Sequence, residues 1–130
     1  MKVERFEDLE IWKEARQLCK FIFNITEKEP FAKDFKLRDQ IRTSSGSVMD
    51  NIAEGFERDG NKEFTQFLSV SKGSCGECRS QSSRAFDYNY IDEEILQELI
   101  LRTTQLSKKI YAFMSYFRKS EFKGSKYLKP

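Results

Sequence analysis

At 130 residues the chain has the usual length of one domain, and its 38% hydrophobic content suits a buried core that needs neither disulfides nor a structural metal. Lys and Arg outnumber Asp and Glu by only 23 to 21, so the net charge of +2 selects no partner, and only the placement of charge can. With no histidine, imidazole triads, imidazole acid–base catalysis, histidine metal ligation and nucleases built on an Arg–His pair are excluded.

Six Gly and two Pro against 34% charged residues leave little punctuation, which favours long helices with few turns. The first predicted helix covers about 8–28. Ile11, Ala15, Leu18, Ile22 and Ile25 fall on one line, and Leu9, Trp12, Cys19 and Phe23 form a second beside it. Its apolar arc is wider than one neighbour in a small bundle requires, so a second partner is expected. Pro30 keeps Glu29 out of α geometry and should stop this helix near Lys28. A second helix is expected over 35–58, with Leu37, Ile41, Ser44, Val48, Ile52 and Gly55 on its buried line. Gly55 is unfavourable there unless it lets backbones approach closely or ends the helix.

Asp59-Gly60 signals a turn, and Asp59 or Asn61 is expected to cap a third helix over 61–86. Its inner line is bulky at both ends, from Phe64 and Leu68 to Ala85 and Phe86, and small in the middle, at Ser71, Ser74, Cys75, Cys78 and Ser82. Asp92 is a natural N-cap for a fourth helix over 92–117, with Glu93 and Glu94 favourably placed near the dipole's positive end. Ile95, Leu99, Leu106, Ile110, Phe113 and Phe117 give that helix near-heptad register. Short connections favour an all-α, antiparallel up-down-up-down four-helix bundle over residues 1–117, followed by a basic tail at 118–130.

The first ten residues mix acids and bases and lack a secretory apolar stretch, and no apolar run reaches the roughly 18 residues of a membrane span. Three cysteines fit reduced thiols, so a cytoplasmic protein without membrane partners is expected. Cys75 and Cys78 have the spacing of a redox pair or half a zinc site. Both lie inside a helix on its small-residue line, and Cys19 is the only further thiol, so core packing is the expectation. Carboxylate pairs such as Glu54 with Glu57 read as solvated faces. No catalytic residue, metal site or cofactor is therefore assigned.

Asn51, Glu54 and Arg58 are expected to form a structural polar network, with Arg42 or Arg58 as the cation; a ligand or partner contact is the competing reading. Arg38 and Arg42, one turn apart, and Arg118, Lys119, Lys123, Lys126 and Lys129 of the tail are the candidate nucleic-acid-binding residues.

Several segments taken in order resemble one family over nearly the whole chain: FEDLEIWKEA at 6–15, LRDQIR at 37–42, NIAEGFER at 51–58, KEF at 62–64, and then Phe67-Leu68 and Gly73-Ser74. The family is that of the four-helix-bundle proteins found in intervening sequences of bacterial 23S ribosomal RNA genes, sometimes filed as ribosomal proteins. It is related to the accessory variability determinant of diversity-generating retroelements. The resemblance implies a homo-oligomer, a pentameric ring or barrel, with basic surfaces that engage RNA or DNA and, in the retroelement relative, a reverse transcriptase. The sequence departs from the pattern at Cys75 and Cys78, where bulky aliphatics are usual, and at Met49-Asp50, where a proline-containing pair is common. The function expected is a non-enzymatic nucleic-acid-binding or assembly accessory protein, the alternative being a protein–protein interaction scaffold with no nucleic-acid role.

Overall fold

The computed structural model describes residues 3–119, with the side chain of residue 119 outside that description. Four helices follow one another: α1 (Glu10–Thr26), α2 (Phe35–Glu57), α3 (Asn61–Asp87) and α4 (Glu93–Lys119). Their bounds lie within two residues of those expected, and consecutive helices pack antiparallel as an up-down bundle. The α2–α3 and α3–α4 pairs carry most of the packing, whereas α1 and α4 touch least among the neighbouring pairs.

Local chemistry accounts for the ends. A 3-10 turn at Phe6–Asp8 leads into α1 and lays Phe6 edge-on against Trp12, with ring centroids 5.3 Å apart. Thr26 closes α1, two residues earlier than expected, its hydroxyl donating back to the Ile22 carbonyl at 2.7 Å. Asp34 then caps α2 by accepting the Leu37 N–H at 3.0 Å, and it also accepts the Tyr90 hydroxyl at 2.8 Å, tying the α1–α2 loop to the α3–α4 loop. These two bonds, the Leu37 N–H first, hold the Asp34 carboxyl below its ordinary pKa. Asp92 caps α4 as expected through the Ile95 N–H at 2.9 Å.

The cap expected for α3 is different. Gly60 occupies that position at φ 96° without a side-chain cap bond, so neither Asp59 nor Asn61 fills the N-cap role. The turn needs a left-handed φ that glycine adopts without strain, and this places the capping position on a residue with no side chain.

The principal lines of α1 and α2 are buried throughout, from Ile11 to Ile25 and from Leu37 to Gly55. Aromatic rings fill one end of the core, where Phe64 meets Phe56, Phe113 and Phe117. Phe31 stacked on Tyr90 at 5.1 Å closes the other. Between them α2 and α3 meet through small side chains. Ser71 donates to the Val48 carbonyl at 2.7 Å, Ser74 to the Ser47 hydroxyl at 2.9 Å, and Ser44 to the Gln81 side-chain carbonyl at 2.6 Å. Gly55 sits on this seam, where a Cβ would come within 2.6 Å of the Phe67 Cβ. The close approach considered for Gly55 is therefore its role.

No helix among the described residues is long and apolar enough to cross a membrane.

Candidate functional site

Cys75 and Cys78 are fully buried between α3 and its neighbours, and the Cys75 thiol donates to the Thr103 carbonyl at 3.2 Å. Burial pushes their pKa values up to about 11 and about 12. At neutral pH both are protonated, and the thiolate, not the thiol, is the nucleophile and metal ligand. Cys19 is half-buried, its pKa also raised chiefly by burial, and its thiol donates to the Ser45 carbonyl. Among the described residues no group of three or more Cys, Asp or Glu gathers as a metal site. Glu54, Glu57, Glu93 and Glu94 are exposed.

The expected network of Asn51, Glu54 and Arg58 does not form as one unit. Asn51 donates to the Ser47 carbonyl at 2.8 Å and the Ser47 hydroxyl at 2.9 Å, which joins it to the serine seam of α2 and α3. Arg58 bonds Glu54 at 2.9 Å and lies 3.6 Å from Glu63 on the surface, with the Arg58 and Glu54 side chains 47% and 54% exposed. All three fall on one stripe of α2, but the Asn51 amide is committed to Ser47 one turn back, whereas Arg58 lies past the helix end with an extended backbone and reaches Glu54 and Glu63. Arg42, the other cation considered, belongs to a different site.

That site lies across the C-terminal end of α1 and the first turns of α2. Arg42 Nε donates to the Thr26 hydroxyl at 2.8 Å, and its guanidinium carbon lies 4.4 Å from the centre of the Phe23 ring. One turn earlier Arg38 lies 4.8 Å from the centre of the Phe35 ring, donates to the Ala32 carbonyl at 3.3 Å and pairs with Asp39 at 2.9 Å. Phe23 and Phe35 are nonetheless 47% and 63% exposed. Elsewhere Arg102 covers Phe21, Arg16 covers Trp12 and Arg58 covers Phe67. Much of the second apolar line of α1 is thus met inside the chain, by Phe6 and by arginines, rather than by a further helix.

Of the tail candidates, Arg118 is exposed at the end of α4; Lys119, by its side chain, and Lys123, Lys126 and Lys129 lie outside the described residues. The structure thus brings Arg38 and Arg42 together with two rings and does not gather Arg118 with them.

A family model described as 23S rRNA-intervening sequence protein matches residues 7–112. The chain belongs to that family. Among solved structures, the 23S rRNA-intervening sequence fold seen here is shared with a protein of unknown function from the S23 ribosomal protein family of Bacteroides thetaiotaomicron VPI-5482. The two chains are 18% identical and superpose with a TM-score of 0.75 over 81% of this chain and 95% of that one. No curated protein matches the chain. In this family member, reading the sequence finds Arg38 and Arg42 but misses Phe35 and Thr26 as their supports. The signal available was the 35–38–42 spacing, which places an aromatic and two arginines on one stripe of α2.

Proposed function

We propose that this 23S rRNA-intervening sequence protein is a non-enzymatic, cytoplasmic, homo-oligomeric bundle that binds RNA or DNA. The observation that carries the reading is the fixed Arg38–Arg42 pair. Arg42 is held at Nε by Thr26 and from below by a ring, so its two terminal nitrogens have no protein partner among the described residues. A guanidinium held in this way loses little side-chain freedom when it meets a phosphate, and the fork geometry suits that anion. The burial of Cys75 and Cys78, with their pKa values raised, speaks against a thiol enzyme. Assembly into a pentamer is supported by the family relationship and by apolar surface left open, such as Leu101, 51% exposed in the cleft between α1 and α4.

The test is salt-dependent binding to labelled single-stranded RNA, duplex RNA and duplex DNA. Log affinity should fall linearly with log salt. Arg38→Gln/Arg42→Gln should remove about 0.7 of slope per lost contact on single strands and about 0.9 on duplex DNA. Lys123→Gln/Lys126→Gln/Lys129→Gln should also flatten the slope while leaving the oligomer mass unchanged. No salt-sensitive binding near about 50 mM salt sinks the nucleic-acid reading and leaves the interaction scaffold. A monomeric mass by light scattering at micromolar concentration refutes the assembly.

A further inference from the structure

Resting on the nucleic-acid reading above, we infer that Phe23, Phe35, Arg38 and Arg42 form a stacking platform for single-stranded nucleic acid. Phe35 is the first residue of α2 and is 63% exposed, so its ring contributes little to the core and lies open to a flat ligand. Phe23 presents the same chemistry from α1, and each ring carries a guanidinium within 5 Å of its centre. Bases stack on aromatic faces and on guanidinium planes alike, and such stacking is indifferent to base identity. A duplex has its base faces already stacked and offers these rings nothing beyond phosphate.

The dimensions agree with a short stretch of strand. Phe35 and Arg42 lie seven residues apart on one stripe of α2, a rise of about 10 Å. At about 3.4 Å per stacked nucleotide this spans about three bases. Phosphates would be met by the terminal nitrogens of Arg42, which no described residue engages, and less by Arg38, whose Nε is taken by Asp39. The platform therefore has a charged edge at Arg42 and an apolar, aromatic edge at Phe35.

The experiment is fluorescence anisotropy of the full chain with a labelled, unstructured single-stranded RNA and with a duplex of the same length, at fixed low salt. Wild type should prefer the single strand. Phe35→Ala should weaken single-strand binding by about tenfold with the salt slope and the circular dichroism spectrum unchanged, and should leave duplex binding unaffected. Phe35→Trp should restore affinity and Phe35→Leu should not, because a π face and not bulk is required. If wild type binds single strands but Phe35→Ala binds them equally well, the platform is overturned while the nucleic-acid reading stands. If Phe35→Leu binds like wild type, the site is an apolar docking surface and the platform is again overturned. If wild type binds no nucleic acid, both fall together. Because Phe35 is so exposed, the Phe35 series does not depend on a variant that unfolds.

Discussion

Replacing Gly55 with alanine adds a single methyl group where α2 crosses α3. The added Cβ would sit 2.6 Å from the Phe67 Cβ and 3.0 Å from the Phe64 Cδ1, whereas carbon pairs rest at about 3.5–4.0 Å. The Phe67 Cβ is one bond from its backbone, so no rotamer change clears it and the helices must part by about 1 Å. Overpacking of this kind costs about 1–3 kcal/mol, and the helix-forming gain of Gly→Ala offsets about 0.5–1 kcal/mol. A net loss of about 1–2 kcal/mol follows, or a fall of about 4–8 °C in Tm for a domain of this size. Gly73→Ala supplies the control, because a Cβ there meets no atom within 4 Å. It should gain about 0.5–1 kcal/mol from the same helix term. Urea and thermal denaturation followed by circular dichroism measure both. If Gly55→Ala is as stable as wild type while Gly73→Ala shows its gain, the two helices are not in the close approach described, and the reasoning fails.

Ser44→Ala should destabilise by about 1–3 kcal/mol in urea titrations, because it leaves the buried Gln81 carbonyl oxygen without its hydroxyl donor. Thiols in the unfolded chain ionise near the ordinary pKa of 9.0, while folded Cys75 and Cys78 stay protonated to about 11 and about 12. The unfolded state then binds fewer protons, so stability falls as pH rises above 9, by up to about 1.4 kcal/mol per pH unit for each thiol. In Cys75→Ala/Cys78→Ala, which should lose only modest stability at neutral pH, alkaline denaturation should be shallower; equal steepness in both proteins would contradict the buried-thiol account. Asp34, whose pKa is lowered by the Leu37 N–H and then by the Tyr90 hydroxyl, stabilises above its ordinary value of 3.8 and loses that contribution as pH falls through its folded value. Asp34→Asn should reduce acid sensitivity in that window, as read by the Tm measured across it.

The bundle was legible because its helices are long and their periodicity is strong. Ile11, Ala15, Leu18, Ile22 and Ile25 repeat at helical spacing and are all buried, and the small middle of α3 does let α2 approach. Ends were less legible. α1 ends at Thr26, ahead of Pro30, and Gly60 takes a capping place that side-chain chemistry assigned to Asp59 or Asn61. Pairings between helices were not legible at all. Whether Ser74 meets Ser47, and whether Arg42 lies over Phe23, depends on the rotation and register of elements apart in sequence, which hydropathy does not fix. Gln81 and Thr103 show the same gap: polar by composition, both are buried because Ser44 and the Leu99 carbonyl satisfy them. The α1 apolar arc is broad, yet arginines of the same chain cover part of what its breadth assigns to a second partner.

The slight packing between α1 and α4 sets an order in which the molecule opens. Along that side the bundle is joined by the Lys109–Glu14 ion pair and by Arg102 over Phe21, around an open cleft of about 370 Å³. Exposed ion pairs hold only about 0–1 kcal/mol, so α1 is kept in place mainly by its buried line from Ile11 to Ile25 and by α2, whereas α3 packs closely against both α2 and α4. Amide hydrogen exchange in α1 should therefore proceed through partial openings that leave α2 and α3 protected, so that added salt, by screening the Lys109–Glu14 pair, quickens exchange in α1 more than in α3.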